Sequence, residues 1–291
     1  MYLAIRDDVI FAAGYSTLAE GLRDLDIPGI ELVIGRDDTV AALTPENGKT
    51  RLNMTDPSDL KTLQAQAAAC SARICALCMD NNFNAEDKAF EVAWAARAVR
   101  AARQLDAPAV RIDAIMSGER DMPLEKRYTL VADAVKRILE QTEDTGVDLG
   151  IENHGFQGND PDFLQGLLNA VGSPRLGLTL DSGNFYWRGW PLSQVYAIFE
   201  QFAPCVKHTH IKNIQYPPEM RETQRAVGYE YEKYVCPIHE GDIDMARYFT
   251  TLRKAGYDRD ICLEDESLGK YAMPQRQANL KAAADFFRVL I

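Results

Sequence analysis

Eight short β-prone runs alternate with amphipathic helical stretches along almost the whole chain, and this succession limits the fold more than any other feature. The alternation predicts strands at Tyr2 to Ile5, Gly29 to Ile34, Arg73 to Met79, Ala109 to Asp113, Asp148 to Glu152, Gly177 to Asp181, Val206 to Ile211 and Ile261 to Glu264. Stretches rich in Ala, Leu, Arg and Glu predict helices near 16–25, 57–71, 86–105, 124–144, 160–171, 192–202, 243–255 and 274–289. Asp56-Pro57, Asp160-Pro161 and Met273-Pro274 read as helix entries, with proline at the first helical position, where its missing N–H is not needed. A βα succession argues for a parallel α/β architecture, and the count of eight favours a closed (β/α)8 TIM barrel over an open doubly wound sheet. The chain has 291 residues, enough for one such barrel, and neither a repeat nor a linker interrupts it. One domain spanning 1–291 is expected.

Four of the runs end in a carboxylate or an imidazole. They are LGIENHG with Glu152, LGLTLDSGNF with Asp181, VKHTHIKN with His208 and His210, and ICLEDES with Glu264. Period-2 alternation sets each polar residue opposite the large aliphatics, Leu149 and Ile151 against Glu152, Leu178 and Leu180 against Asp181. Taken singly, a glutamate at a strand end is usually solvated, and Asp-Ser-Gly also suits a turn. A parallel barrel brings all four strand ends to one mouth. Three carboxylates converging there repel one another strongly unless a divalent cation sits between them, so the chain reads as a metal enzyme. His208 and His210 share a strand face; one would hold a single metal while the other orients or binds substrate. Glu266 reads as a rim residue.

The set IENHG, LDSGN, HTHIKN and CLEDES, with HEGDIDMARYFTTLRKAGYDRDICLE, resembles the xylose isomerase-like TIM barrel family of sugar (phosphate) isomerases and epimerases. Its pattern is similar to the ketose 3-epimerase and hydroxypyruvate isomerase branches. The resemblance implies one divalent metal ion held by Glu152, Asp181, His210 and Glu264, with Mn²⁺ first and Mg²⁺, Co²⁺ or Zn²⁺ as alternatives. It also implies that Glu152 and Glu264 are catalytic, flanking a carbon beside a metal-bound carbonyl and moving its proton through an enediolate. His154, His208 and Lys212 would bind substrate oxygens. Two positions depart from the family pattern: Asn184 stands where a His is frequent, and His239 where a Gly is frequent.

The same apparatus would serve a metal-dependent dehydratase of a keto-polyol such as inosose or 3-dehydroshikimate, with His154 or His239 as the acid. A catalytically silent sugar-binding barrel is a third reading, but it need not keep both glutamates. Endonuclease IV, a fold relative, needs many histidines for its zinc cluster, and this chain has four.

The long connections 36–56 and 213–242 stand out, because loops of that length usually serve function or are disordered. The second carries several tyrosines with Arg221 and Arg225, suited to covering a polyhydroxylated substrate, and Arg221 is read as a substrate contact. With 32 Lys plus Arg against 43 Asp plus Glu, the net charge of −11 and the lack of a basic stripe argue against a nucleic-acid partner. A small sugar is the expected partner. No run of 18 apolar residues occurs, and MYLAIRDD lacks a leader pattern, so a cytoplasmic protein with no membrane association is expected. A homo-oligomer is compatible with the sequence and not required by it. The six cysteines are expected to be free thiols; Cys75 and Cys78, three apart on an extended strand, face opposite ways and make a poor metal pair.

Overall fold

The computed structural model describes residues 1–291. Its central sheet has eight parallel strands: β1 (Tyr2–Arg6), β2 (Gly29–Val33), β3 (Arg73–Cys78), β4 (Ala109–Ile112), β5 (Asp148–Glu152), β6 (Leu176–Asp181), β7 (Val206–His210) and β8 (Asp260–Leu263). From β1 to β7 each pairs with the next in chain order, and β8 pairs back onto β1. Between β7 and β8 the ring is closed by a bridge from Ile211 to Leu263, with Ile211 N–H donating to Cys262 O at 2.8 Å and Glu264 N–H to Ile211 O at 3.0 Å. Thr209 reinforces the seam, its hydroxyl donating to Asp260 O at 3.0 Å. The chain is thus a single-domain (β/α)8 barrel, as the alternation predicts.

The two faces of the sheet explain the sequence pattern. Large aliphatics such as Leu149, Ile151, Leu178 and Leu180 point outward into a continuous core of 79 buried residues shared with the helices. Inside the ring Ala4, Cys75 and Cys262 form a separate small cluster. Above that floor the inward positions turn polar, which places the charged strand ends at the C-terminal mouth. Helix entries follow the expected chemistry: Asp56 accepts from Ser58 N–H at 2.8 Å and Asp160 from Asp162 N–H at 3.0 Å, each ahead of a proline in the first turn.

Three segments differ from the sequence reading. Much of 36–56 is an antiparallel hairpin, Thr39–Glu46 with Lys49–Asn53. Its tip is Asn47-Gly48, both at positive φ (51° and 78°), the pair that a tight two-residue turn favours. A short helix, Asp7–Ala12, follows β1 directly. The connection 213–242 is ordered by a two-residue ladder between Asn213–Ile214 and Val235–Cys236 and by the buried ring of Tyr216. All six cysteines are unpaired, and no helix is long and apolar enough to cross a membrane.

The spacing between β6 and β7 sets Asp181 against His210, and Gly177 permits that spacing. A Cβ there would stand 1.9 Å from the carbonyl oxygen of Cys205, a backbone atom that cannot turn aside. Gly177→Ala is therefore expected to destabilise the barrel by about 1–3 kcal/mol or more, read as a lower urea midpoint with an unchanged slope. An unaltered midpoint would show that the two strands can separate without cost.

Candidate metal centre and active site

Glu152, Asp181, His210 and Glu264 come together at the mouth, each offering a ligand atom within 4.8 Å of the others. All four are buried. His210 Nδ1 lies 3.4 Å from Glu152 Oε2 and 3.6 Å from Glu264 Oε2. On the other side of the ring, Nε2 donates to Glu31 Oε2 at 2.9 Å, which fixes the tautomer and leaves Nδ1 aimed at the carboxylates. Asp181 is held by one oxygen only: Oδ1 accepts from the N–H groups of Gly183 and Asn184 at 2.8 and 2.6 Å, while Oδ2 has no hydrogen-bond partner. Buried polar atoms are rarely left so. An unpartnered Asp181 Oδ2 and an unpartnered His210 Nδ1, facing carboxylates from two other strands, fit a divalent cation.

Three cations grip the same carboxylates. Arg111 from β4 pairs with Glu152, Arg6 from β1 pairs with Glu264, and Lys212 Nζ stands 3.3 Å from Glu264 Oε2 and 3.5 Å from Asp181 Oδ2. Asn184 donates to Glu152 Oε1 at 2.9 Å. Burial alone would push Glu152 up, but Arg111 and His210 outweigh it and hold the carboxyl well below its usual range. Glu264 is likewise lowered against its burial, by Lys212, His210 and Arg6. Asp181 goes the other way: burial raises it well above the usual range, and Lys212 does not compensate. His210, although burial disfavours its charge, is raised to about 10 by Glu31, Glu264 and Glu152. The excess of buried negative charge thus draws a proton to the spot where a metal ion would stand.

Of the residues read as substrate contacts, His154 and Lys212 line the mouth. The cavity there, about 430 Å³, is walled by Arg6, Arg111, Glu152, His154, Lys212 and Glu264 among others. A smaller lobe of about 150 Å³ adjoins it, lined by His154, Asn184, Trp187, Lys212, Tyr231 and Glu266. His154 Nδ1 sits 2.8 Å from Asp113 Oδ1; burial lowers its pKa, but Asp113 and Glu152 raise it further, for a net upward shift. Glu266 ties the rim to the long loop, pairing with Lys212 and accepting from Tyr231 O–H at 2.6 Å. So Tyr231 is the part of 213–242 that reaches the mouth.

Two expectations are corrected. His208 is not a substrate contact: it is fully buried below His210, with Nε2 2.9 Å from Glu31 Oε1 and Nδ1 2.7 Å from Asp260 Oδ2. It lines neither lobe of the mouth, so a substrate there does not meet it. Arg221 is also elsewhere. Its guanidinium binds Asp242 Oδ1 at 2.9 Å and Tyr216 O at 3.2 Å, pinning the loop from outside the mouth. His239 packs against Phe286, 6.4 Å between ring centres, and lines neither lobe, so His154 is the imidazole that faces the cavity. Sequence reasoning missed Arg6, Glu31 and Arg111. The available signal was a single charge on the inward face of an apolar run, in LAIRDD, GIELV and AVRID.

The chain belongs to the xylose isomerase-like TIM barrel family, whose model matches residues 20–290. Comparison with curated proteins gives no significant match. Among solved structures, the IolI protein with a bound zinc atom is 17% identical, covering 100% of this chain and 99% of its own, with a TM-score of 0.72. The 3-keto-D-glucoside 4-epimerase YcjR of E. coli is 12% identical over 98% and 99%, TM-score 0.69. The probable 3-DHS dehydratase AsbF of Bacillus anthracis is 16% identical over 97% and 98%, TM-score 0.69. At these identities the likeness shows the fold.

Glu31 generates a prediction about metal. Removing the carboxylate that orients a ligating imidazole typically weakens binding 10–100-fold. Glu31→Gln is expected to lower Mn²⁺ or Zn²⁺ affinity by that factor, measured by titration of the chelator-treated protein. Affinity equal to that of the unaltered protein would remove Glu31 from any role at the centre.

Proposed function

We propose that this protein is a divalent-metal-dependent isomerase or epimerase of a ketose or keto-sugar, and that Glu152 and Glu264 are its two bases. The observation that carries this reading is their placement. They enter from β5 and from the end of β8, each presents Oε2 toward the same His210 nitrogen, and each is gripped by its own guanidinium. An ionised carboxylate on each side of a bound substrate can take a proton from carbon on one face and return one on the other. The metal would be held by Glu152, Asp181, His210 and Glu264. When bound, it would supply Lewis-acid polarisation of a substrate carbonyl, stabilising the charge of an enediolate. Three oxygen donors and one nitrogen make a hard set, for which Mn²⁺ is the first choice.

The remaining side chains bind and orient. Lys212, kept charged by Asp181, Glu264 and Glu266 against its burial, can donate to a substrate oxygen from the cavity wall. His154, with Nδ1 on Asp113, offers Nε2 to the same space. Trp187 and Tyr231 give the smaller lobe aromatic walls suited to a sugar's C–H face. A cytoplasmic location suits six unpaired cysteines.

One observation favours the dehydratase as a second reading. The raised pKa of His154 keeps a proton at the cavity wall, available to a departing hydroxyl. The fate of the enediolate separates the two. Incubation with a panel of ketoses and keto-sugars in D₂O is expected to place deuterium in a product isomeric with the substrate, without enone absorbance. Glu152→Gln and Glu264→Gln should each slow that incorporation by about 10²-fold or more. An unsaturated product of lower mass, without an isomer, would replace the isomerase with the dehydratase, and saturable binding with no turnover would leave a sugar-binding barrel.

A further inference from the structure

Three arginines gather around the ring of Phe156, on the loop that follows β5. The guanidinium carbons of Arg188, Arg120 and Arg127 lie 4.8, 5.2 and 5.8 Å from its centre. They come from three different segments: the short helix Asn184–Arg188 after β6, the loop after β4, and the first turn of the helix Leu124–Gln141. None of the three guanidinium groups has a hydrogen-bond or ion-pair partner. Nε and Nη1 of Arg127 and Nε of Arg188 are moreover shielded from solvent without one. This is unusual in a chain with 43 acidic residues and a net charge of −11.

Stacking on an aromatic face explains one arginine, at about 0.5–1 kcal/mol at exposed sites. It does not explain three like charges on a single ring, nor donors removed from water with nothing to receive them. Arg127 also lies in the first turn of its helix, the end where the backbone dipole disfavours a cation, and that helix start has no side-chain cap. Asp160, whose charge acts on Arg188, forms no ion pair with it and caps the helix Pro161–Val171 through Oδ1. The cluster is therefore assembled at a cost that an anion would offset.

Its neighbours in the chain lie at the mouth. Phe156 is two residues beyond His154, and Arg188 adjoins Trp187; His154 and Trp187 both line the smaller lobe of the mouth. We propose that Arg120, Arg127 and Arg188 form an oxyanion subsite beside the mouth, which takes a phosphate or carboxylate carried by the substrate away from its reacting carbon. Planar guanidiniums suit both groups through paired N–H donors. The inference deepens the sugar reading of the mouth and narrows the substrate class to an anionic sugar, a sugar phosphate or a sugar acid.

The test is titration calorimetry at low ionic strength with inorganic phosphate and with malonate, on the unaltered protein and on Arg120→Gln, Arg127→Gln, Arg188→Gln and Lys212→Gln. One saturable site is expected for at least one anion, and the anion that binds more tightly names the group. Each arginine substitution is expected to weaken it about tenfold, the worth of one charge-assisted hydrogen bond. Because Lys212 lines this lobe as well as the inner cavity, Lys212→Gln is expected to weaken it no more than an arginine substitution does. Arg120 is exposed, so its variant folds even if the other two do not. Binding of neither anion, or binding lost in Lys212→Gln and kept in the arginine variants, overturns the subsite. This readout needs no turnover: a failed deuterium experiment would leave the subsite standing, and a failed titration would leave the two-base reading standing.

Discussion

Glu31 accepts from two imidazoles at once, and the geometry of the mouth depends on that bond pair. It is fully buried on β2, with His208 Nε2 and His210 Nε2 each 2.9 Å from one of its oxygens and Arg6 Nε at 3.7 Å. A carboxylate so placed loses its hydration. Burial pushes its pKa up, yet the two imidazoles hold it well below the usual range. The bonds fix which nitrogen of His210 faces the three acidic ligands. Through Arg6 the same carboxylate is linked to Glu264, so β1, β2, β7 and the end of β8 are tied at a single point. Below it, His208 carries the chain on to Asp260, whose backbone oxygen also takes the Thr209 hydroxyl that helps close the barrel.

The site is costly in electrostatic terms. Glu31, Asp113, Glu152, Asp181 and Glu264 are buried carboxylates within reach of only three permanent cations, Arg6, Arg111 and Lys212. Buried ion pairs return their desolvation cost only when the geometry is good and the remaining atoms are bonded. That condition holds for Glu152, with Arg111 on one oxygen and Asn184 on the other, and it fails at Asp181 Oδ2 and His210 Nδ1. Among the four converging residues, these two atoms are the buried ones without a hydrogen-bond partner, and they face one another across the mouth.

Much of this was legible in the sequence because the barrel repeats one rule. Strands buried by helices on their outer face write their aliphatics at alternate positions, so Glu152, Asp181, His210 and Glu264 could be set on inward faces without coordinates. Depth along the strand was not legible. His208 and His210 share a face, but two residues are about 6.6 Å of rise, enough to put one at the cavity and the other in the buried layer beneath it. Arg221 shows a different limit: no periodicity fixes where a loop side chain points, and its cationic character was equally suited to Asp242. Glu31, Arg6 and Arg111 were overlooked because their runs carry no polar cluster, only one charge each. The hairpin at 39–53 was announced by Asn47-Gly48, but the polar residues around it read as loop.

The central claim is that Glu152, Asp181, His210 and Glu264 form one metal centre. Anomalous diffraction from crystals soaked in Mn²⁺ tests it most directly. The account predicts a single strong peak about 2.0–2.5 Å from Asp181 Oδ2, His210 Nδ1 and one oxygen each of Glu152 and Glu264. A peak beside His208 and Glu31 instead, or no ordered ion at saturating Mn²⁺, would contradict it.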